Sequence, residues 1–561
     1  EATDVTQNTA IAATNAKMES SYFQANGAFI KANSAYDTAN SAQANTIIIQ
    51  GVDVTQNTNI AATDNKMQYA YGQANGLILL VGGRLDGLHK RQPFASFDVA
   101  GNNNQFIVFD PINHTKWTAN LSSLSLELQE QLSSTNMQFY QSGDILYLVG
   151  GYGYDNASAA RMTFPYLCAI HVSNVIQAVI NNQSITPFVR QIADPLFAVT
   201  GGHLKKLFNT YYLVGGNKFD GNYNPMGNPT YTQEYTNAIR KFEIQDDGIS
   251  IQITHKPSII DAANLHRRDY NVVAQRFPDG TRGMTAFSGV FQANVDLPFL
   301  NSIDIDSNGH YVNNNFQQYY NHYHCAVLPV YQQSSNQMHT VFFGGIAQYY
   351  NDGGTLVQDN NVPFVRTIAR VTRETNGTMG EHLMPIQMPG YMGAGSEFIL
   401  NPLVPHDEQH IIELDNLSED TTLVGYIYGG IHSSAANIFF VNTGSESLAS
   451  NQLMNVYLVK NQVSGIDLLN AQSQGKLQLQ VYPNPSDGEF TVQYNLTKIE
   501  PVTIEIRSTE GKIFYTETTT SPSIGINTIK LNARKIKNAS AVYVQVSTAK
   551  EKATQKVILS E

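Results

Sequence analysis

The sequence predicts an all-β protein: a ring of six four-stranded units, a small β-sandwich after it, and an Ala- and Asn-rich arm in front, helical in one reading. Three observations carry this. The composition favours strands and turns, with 30 Tyr, 26 Phe and 41 Gly among 561 residues. An apolar run ending in Gly-Gly recurs through the middle of the chain. The last stretch alternates apolar and polar residues in seven short segments. Charged residues make up 14 % and the net charge is −12 with no basic stripe, which argues against nucleic-acid binding. No apolar run approaches the ~18 residues of a membrane helix. Cys168 and Cys325 are too few for a disulfide framework or a four-cysteine metal site, and both read as small buried hydrophobes.

Residues 1–45 form the arm. Up to about residue 66 the chain contains no Leu, Pro, Arg or His, and DVTQNT-x-IAAT from Asp4 recurs from Asp53, an offset of 49 residues or seven heptads. Tyr22, Phe29 and Tyr36 recur every seven residues, the spacing of an Ala-rich coiled-coil seam. The repeat resembles the stalk repeats of phage fibre proteins. A lightly docked arm is the alternative. An N-terminus without a signal peptide reads either as cytoplasmic or as a mature form whose leader has been removed, and the far end of the chain decides for the second.

Residues 46–460 repeat another unit. Leu77–Gly83, Ile145–Gly151, Tyr211–Gly216, Val341–Gly345 and Val424–Gly430 each end an apolar run in Gly-Gly, and Met284–Phe291 is a degraded sixth copy. Turns such as Asn75-Gly76 precede the run, and Asp247-Gly248, Asn308-Gly309 and Asn376-Gly377 join a third strand to a fourth. With Trp117 downstream in the first unit, the pattern resembles a Kelch-type β-propeller, which implies six blades. The glycines fall where strand two leaves the crowded centre and a Cβ would clash. The last unit stops after a third strand at Asn455–Lys460, so the missing outer strand is expected from 46–54, which removes an open sheet edge.

Residues 461–475 read as a linker. Residues 476–561 hold 11 Lys and Arg against 8 Asp and Glu, and seven strands that predict an Ig-like β-sandwich. Tyr482-Pro483-Asn484-Pro485 with Gly488, then Gly511-Lys512, Gly525 with Asn527, and Tyr543 resemble the type A C-terminal sorting domain of the type IX secretion system of Bacteroidetes. The resemblance implies export through that translocon and its sorting machinery, then attachment to the outer-membrane surface or release. Ala539-Ser540-Ala541 departs from the family, which usually has a Gly before the late Tyr.

Loops joining strands two and three are long, at about 84–105, 152–166, 217–238, 346–366 and 431–453, and share one face, where function concentrates. On that face His89-Lys90-Arg91 and His266-Arg267-Arg268-Asp269 echo each other and suggest an anion or sugar-acid pocket. The competing reading has the arginines paired with Asp86, Asp98 or Asp269 to tie blades together. His322 and His324, expected at i and i+2 on a strand, are weak metal candidates without a third ligand. Asp304-x-Asp306-x-Asn308-Gly309 lacks the twelfth-position Glu of a calcium loop and reads as a hairpin turn. No cofactor and no metal are expected. The function expected is carbohydrate or surface-protein binding at the long-loop face. The alternatives are an extracellular carbohydrate-active or metal-dependent enzyme using His89, His266, His322 and His324, and a structural subunit that oligomerises through the arm.

Overall fold

The computed structural model describes residues 47–48, 52–53 and 67–460 apart from 93–94, 225, 227–229, 353–354 and 420. It also describes 477–559 apart from 478, 483, 485, 497, 509–511, 521, 534–540 and 549–551. The expected arm (1–45) and linker (461–475) lie outside the described residues. Two compact units emerge, Ile48–Val459 and one that contains the C-terminal sandwich.

The larger unit is a propeller-like succession of antiparallel sheets, each with its strands in chain order. The first is Ala70–Ala74, Leu77–Val81, Gln105–Asp110 and Thr115–Asn120; the second is Gln138–Ser142, Ile145–Val149, Tyr166–His171 and Val189–Ala193. The third is His203–Leu207, Thr210–Val214, Ala238–Asp246 and Ile251–Ile260; the fourth is Asn271–Arg276, Arg282–Phe287, Ser302–Ile305 and His310–Asn313. Ala326–Gln332, Gln337–Phe343, Thr367–Arg373 and Met379–Gln387 make the fifth, and Tyr391–Leu400, Thr421–Ser433 and Leu453–Lys460 the core of the sixth. On the outer edge of the sixth lies Val52–Asp53, with Val52 opposite Val456 and Asp53 opposite Asn455.

Neighbouring sheets share apolar cores. Leu79, Phe106 and Leu148 fill the space between the first two, Tyr211 and Val149 the next, and Tyr428, Ile399 and Phe109 join the sixth to the first. The Gly pairs sit at these joints. Gly150 has φ +67, and a Cβ there would lie 1.9 Å from the Val199 carbonyl oxygen; at Gly344, φ +64, it would lie 2.1 Å from that of Met392. Both close approach and left-handed backbone therefore demand glycine. Where the degraded fourth copy has Ser288-Gly289, both residues still take positive φ, 51° and 115°.

A closed cycle of backbone hydrogen bonds lines the inside. The residues two positions before five of the inner strands, and Gly395 within the sixth, each donate an N–H to the preceding member: Asn136 to Gln68, Gly201 to Asn136, Asp269 to Gly201, His324 to Asp269, Gly395 to His324 and Gln68 to Gly395, at 2.7–3.4 Å. Gln68, Asn136, Gly201, Asp269 and Gly395 all have positive φ.

One feature departs from the sequence reading. Helices at Leu126–Leu132 and Val172–Ile180 interrupt the all-β pattern, and Val172, Val175, Ile176 and Val179 of the second pack into the first core. The face opposite the long loops carries one extended connection. Between Leu400 and Thr421 a long segment pairs Ile412 and Glu413 in parallel with Val330 and Tyr331, and is pinned by Asp407 to Arg276 at 2.8 Å.

In the other unit the seven expected strands form two antiparallel sheets. One orders Gln480–Tyr482, Glu489–Leu496 and Gly525–Asn532; the other orders Ile513–Thr519, Val502–Arg507, Ala541–Ser547 and Lys552–Ile558. Val481, Phe490, Val492, Ile504, Val542, Val544 and Val557 fill the space between them. Asn484 clasps the last strand, donating Nδ2 to Lys556 O at 2.7 Å and accepting Ile558 N at 2.8 Å. Gly488 and Gly525 hold positive φ, 99° and 94°, and Asn527 ties its turn through Ser523 O at 2.7 Å. Tyr543 pairs with Arg507 and Lys556, Tyr482 donates its hydroxyl to Gln493 at 3.1 Å, and Lys512 N donates to Ser508 Oγ at 3.2 Å. Pro483, Pro485 and Gly511 lie outside the described residues.

Candidate functional site

The long loops build their own structure. Tyr152–Asp155 pairs with Ala160–Thr163, Asn217–Gly221 with Tyr231–Tyr235, and Tyr349–Asp352 with Thr355–Gln358, as small hairpins above the ring. The 84–105 loop is fixed at its base by buried Arg84, whose guanidinium forks onto Asp86 at 2.7 Å and also reaches Asn102 Oδ1 at 2.7 Å. Its tip is sewn to the last sheet. Asn442 Nδ2 donates to the carbonyls of Leu88 and His89 at 2.8 and 2.9 Å, and Arg91 Nη1 donates to Phe440 O at 2.5 Å.

Together these loops enclose a cavity of about 610 Å³. Arg268 and Asp269 form its floor, and Phe97, Tyr223, Phe291, Tyr323 and Phe440 supply aromatic wall. The Arg268–Asp269 pair is largely withdrawn from water, with side chains 19 % and 4 % exposed. Arg268 also donates Nε to the Tyr235 hydroxyl at 3.1 Å and lies 5.2 Å from the Phe291 ring centroid. Burial opposes the Arg268 charge, but the Asp269 carboxylate outweighs it and drives its pKa up. Asp269 accepts Asn136 Nδ2 at 3.2 Å. Burial, then the Asp269 charge, pushes the Tyr323 phenol well above its ordinary value, so it stays a neutral donor.

His89 lies in the wall 4.6 Å from the Tyr223 ring and 5.9 Å from Phe97. Burial, with a smaller contribution from the Arg268 charge, lowers its pKa to about 4, so the ring is neutral near pH 7. Its Nδ1 is buried without a hydrogen-bond partner.

The two echoing basic segments thus meet only in part. His89, Arg91, Arg268 and Asp269 converge on the cavity. Lys90 does not line it. His266 stacks flat on Tyr235 at 3.6 Å with Nδ1 2.9 Å from Asn237 Oδ1, outside the lining. Arg267 turns into the body: its Nε donates to Asn264 O at 2.7 Å, its Nη1 to Ser288 O and Asn301 O, and it packs 4.1 Å over Phe299. Burial lowers its pKa to about 9.

His322 and His324 require correction. Residues 321–324 precede the strand rather than belonging to it, so the i, i+2 alternation does not apply. His322 is fully buried with both ring nitrogens engaged, Nε2 2.8 Å from Gln318 O and Nδ1 accepting Gln348 N at 3.0 Å. His324 instead meets Glu397 Oε1 at 3.0 Å in the channel below. Among the described residues no group of three His, Cys, Asp or Glu is placed to hold a metal. Asp306 accepts the Asn308 and Gly309 amides at 2.7 and 2.9 Å, which makes that segment a hairpin turn. Cys168 and Cys325 are both buried free thiols.

The aromatic wall was not singled out from sequence. Its signal was the placing of Tyr223, Tyr323 and Phe440 in or beside the long loops.

Residues 480–560 match the family model described as the secretion system C-terminal sorting domain. The chain is therefore exported by the type IX secretion system, as a secreted or outer-membrane surface protein. Among the described residues no helix is long and apolar enough to cross a membrane. The chain is similar to the solved structure of YjhT at 10 % identity and a TM-score of 0.39, over 71 % of this chain and 96 % of that one. It is also similar to a glycoside hydrolase family 43 arabinoxylan arabinofuranohydrolase from Bacillus subtilis, at 10 % identity and a TM-score of 0.24, over 92 % and 99 % of the two chains. A glycoside hydrolase family 32 structure from Bifidobacterium adolescentis follows at 9 % identity and a TM-score of 0.23, over 88 % and 76 %. No curated protein matches the chain.

Proposed function

We propose that this is a six-bladed, Kelch-like propeller with an Ig-like sorting sandwich, and that it binds a carbohydrate in the cavity at its long-loop face. Six sheets, six joints of positive-φ residues and a six-membered backbone cycle support the blade count. The observation that carries the binding role is the combination in one cavity of aromatic faces with a desolvated Arg268–Asp269 pair. Sugar rings present apolar C–H faces that pack on aromatic surface, and hydroxyls that need both donors and acceptors in fixed positions. Arg268 supplies donors and Asp269 acceptors, held by each other and by Tyr235 and Asn136. The type IX translocon and its sorting machinery are the partners proposed for the C-terminal domain.

A catalytic role has less support. Of the four histidines proposed for it, His89 alone lines the cavity. Binding of the full chain to a glycan array tests the proposal. Tyr223→Ala and Arg268→Gln should each remove the signal, whereas Lys241→Ala, on the third sheet away from the cavity lining, should leave it unchanged. Absence of any glycan signal from the unmodified protein would overturn it.

A further inference from the structure

Inside the ring lies a second cavity, about 180 Å³, which shares Gln68, Asn136, Gly201 and Asp269 with the one above. Its walls are the innermost strands. Its carboxylate, ammonium and imidazole lining groups are His203, Lys205, Lys206, Asp269, His324, Glu397 and His410, and Lys206 donates Nζ to Ser142 Oγ at 2.8 Å. The His410 ring comes from the segment between Leu400 and Thr421.

The charges do not balance locally. Asp269 is held by Arg268, and Glu397 Oε1 by His324 Nε2 at 3.0 Å. His203 Nε2 is engaged with Tyr270 O at 2.5 Å. The Lys205 side-chain amine has no hydrogen bond or ion pair among the described residues, and its half-buried side chain lines the cavity. Burial pulls its pKa down, and Glu397 opposes that only in part. A cation partly withdrawn from water without a partner is destabilised, and a bound anion relieves that cost. Glu397, His203 and His410 lie near this amine, and the same cavity also offers apolar surface: Tyr71, whose hydroxyl is already committed to Phe398 O at 2.8 Å, together with Phe139 and Phe398.

We propose that the channel binds a small organic carboxylate, with its anionic head on the Lys205 ammonium and its apolar body against Tyr71, Phe139 and Phe398. The two cavities share four lining residues, but this site is built on Lys205, which does not line the upper one, and does not depend on the carbohydrate reading. Calorimetric titration of the full chain with sodium benzoate should give saturable heat. Lys205→Met should weaken binding about tenfold or more, and Lys205→Arg, which keeps the charge, should retain most of it. Lys205→Gln serves if the Met variant does not fold. Tyr223→Ala, which removes a wall of the upper cavity, should leave benzoate binding unchanged. No saturable heat, equal binding by Lys205→Met or Lys205→Gln, or loss in Tyr223→Ala would each overturn the proposal, as would sulfate binding as tightly as benzoate. Glycan binding that survives in Lys205→Met separates the fate of this site from that of the upper one.

Discussion

Replacing Asp269 by Asn should destabilise the ring far more than its one-atom change suggests. The side chain is 4 % exposed and its partner Arg268 19 %, so neither charge is screened by much water. Asn keeps the shape and tolerates the left-handed backbone at φ +50, so steric and conformational effects are held nearly constant. What is lost is the counter-charge. Arg268 would keep only the Tyr235 hydroxyl at 3.1 Å and the Phe291 ring at 5.2 Å. Leaving one member of a buried pair uncompensated costs about 3–5 kcal/mol. The readout is urea unfolding followed by the fluorescence of Trp117, the single Trp of the chain, which sits half-buried in the first sheet and so reports the ring rather than the sorting sandwich. The free-energy change is the shift in midpoint multiplied by the slope. Arg268→Gln added to Asp269→Asn should recover much of the loss, because the stranded charge is gone. A loss below about 1 kcal/mol for Asp269→Asn would mean that the pair behaves like an exposed one, and would refute the reasoning.

Other outcomes follow from the same geometry. Gly150→Ala meets both a positive φ and a carbonyl 1.9 Å from the new Cβ, whereas Gly143→Ala meets positive φ in open space. The second should cost about 1–2 kcal/mol and the first clearly more, by thermal unfolding. Burial lowers the pKa of His322 to about 4 from 6.5, so the unfolded chain takes up its proton first. The stability this residue secures is complete above pH 6.5 and is lost progressively down to pH 4, about 3 kcal/mol, and His322→Gln should flatten that part of the profile. Asn484→Ala removes both clasping bonds to the last strand and should cost about 1–2 kcal/mol, read as faster hydrogen exchange at Ile558.

Strand positions were legible wherever a two-residue turn bounded an apolar run, as at Asn75-Gly76 and Asn376-Gly377, because turn chemistry fixes register locally. The helix Val172–Ile180 was missed because its apolar residues follow directly on a strand, and the 3.6-residue period of Val172, Val175, Ile176 and Val179 was hidden in a general excess of apolar residues. Arg268 and Asp269 could be singled out by charge in a sequence with little of it. Arg267, one residue earlier, could not be told apart, since facing into the body rather than the cavity depends on Ser288 and Asn301. The channel site was invisible for a related reason. Lys205 and Glu397 are 192 positions apart, and nothing local in the sequence signals that the ring brings them near each other.

Val52–Asp53 completes a sheet whose other strands are made some 400 residues later, opposite Asn455 and Val456. Until those later strands exist, the ring cannot seal and an open strand edge is left to pair with whatever it meets. The sorting domain begins only at residue 480, after the last of them. A chain cut short before Leu453 therefore carries neither a sealed ring nor an export tag. Position in the gene thus acts as quality control: only a polypeptide that already holds every strand of its ring can present the address that takes it out of the cell.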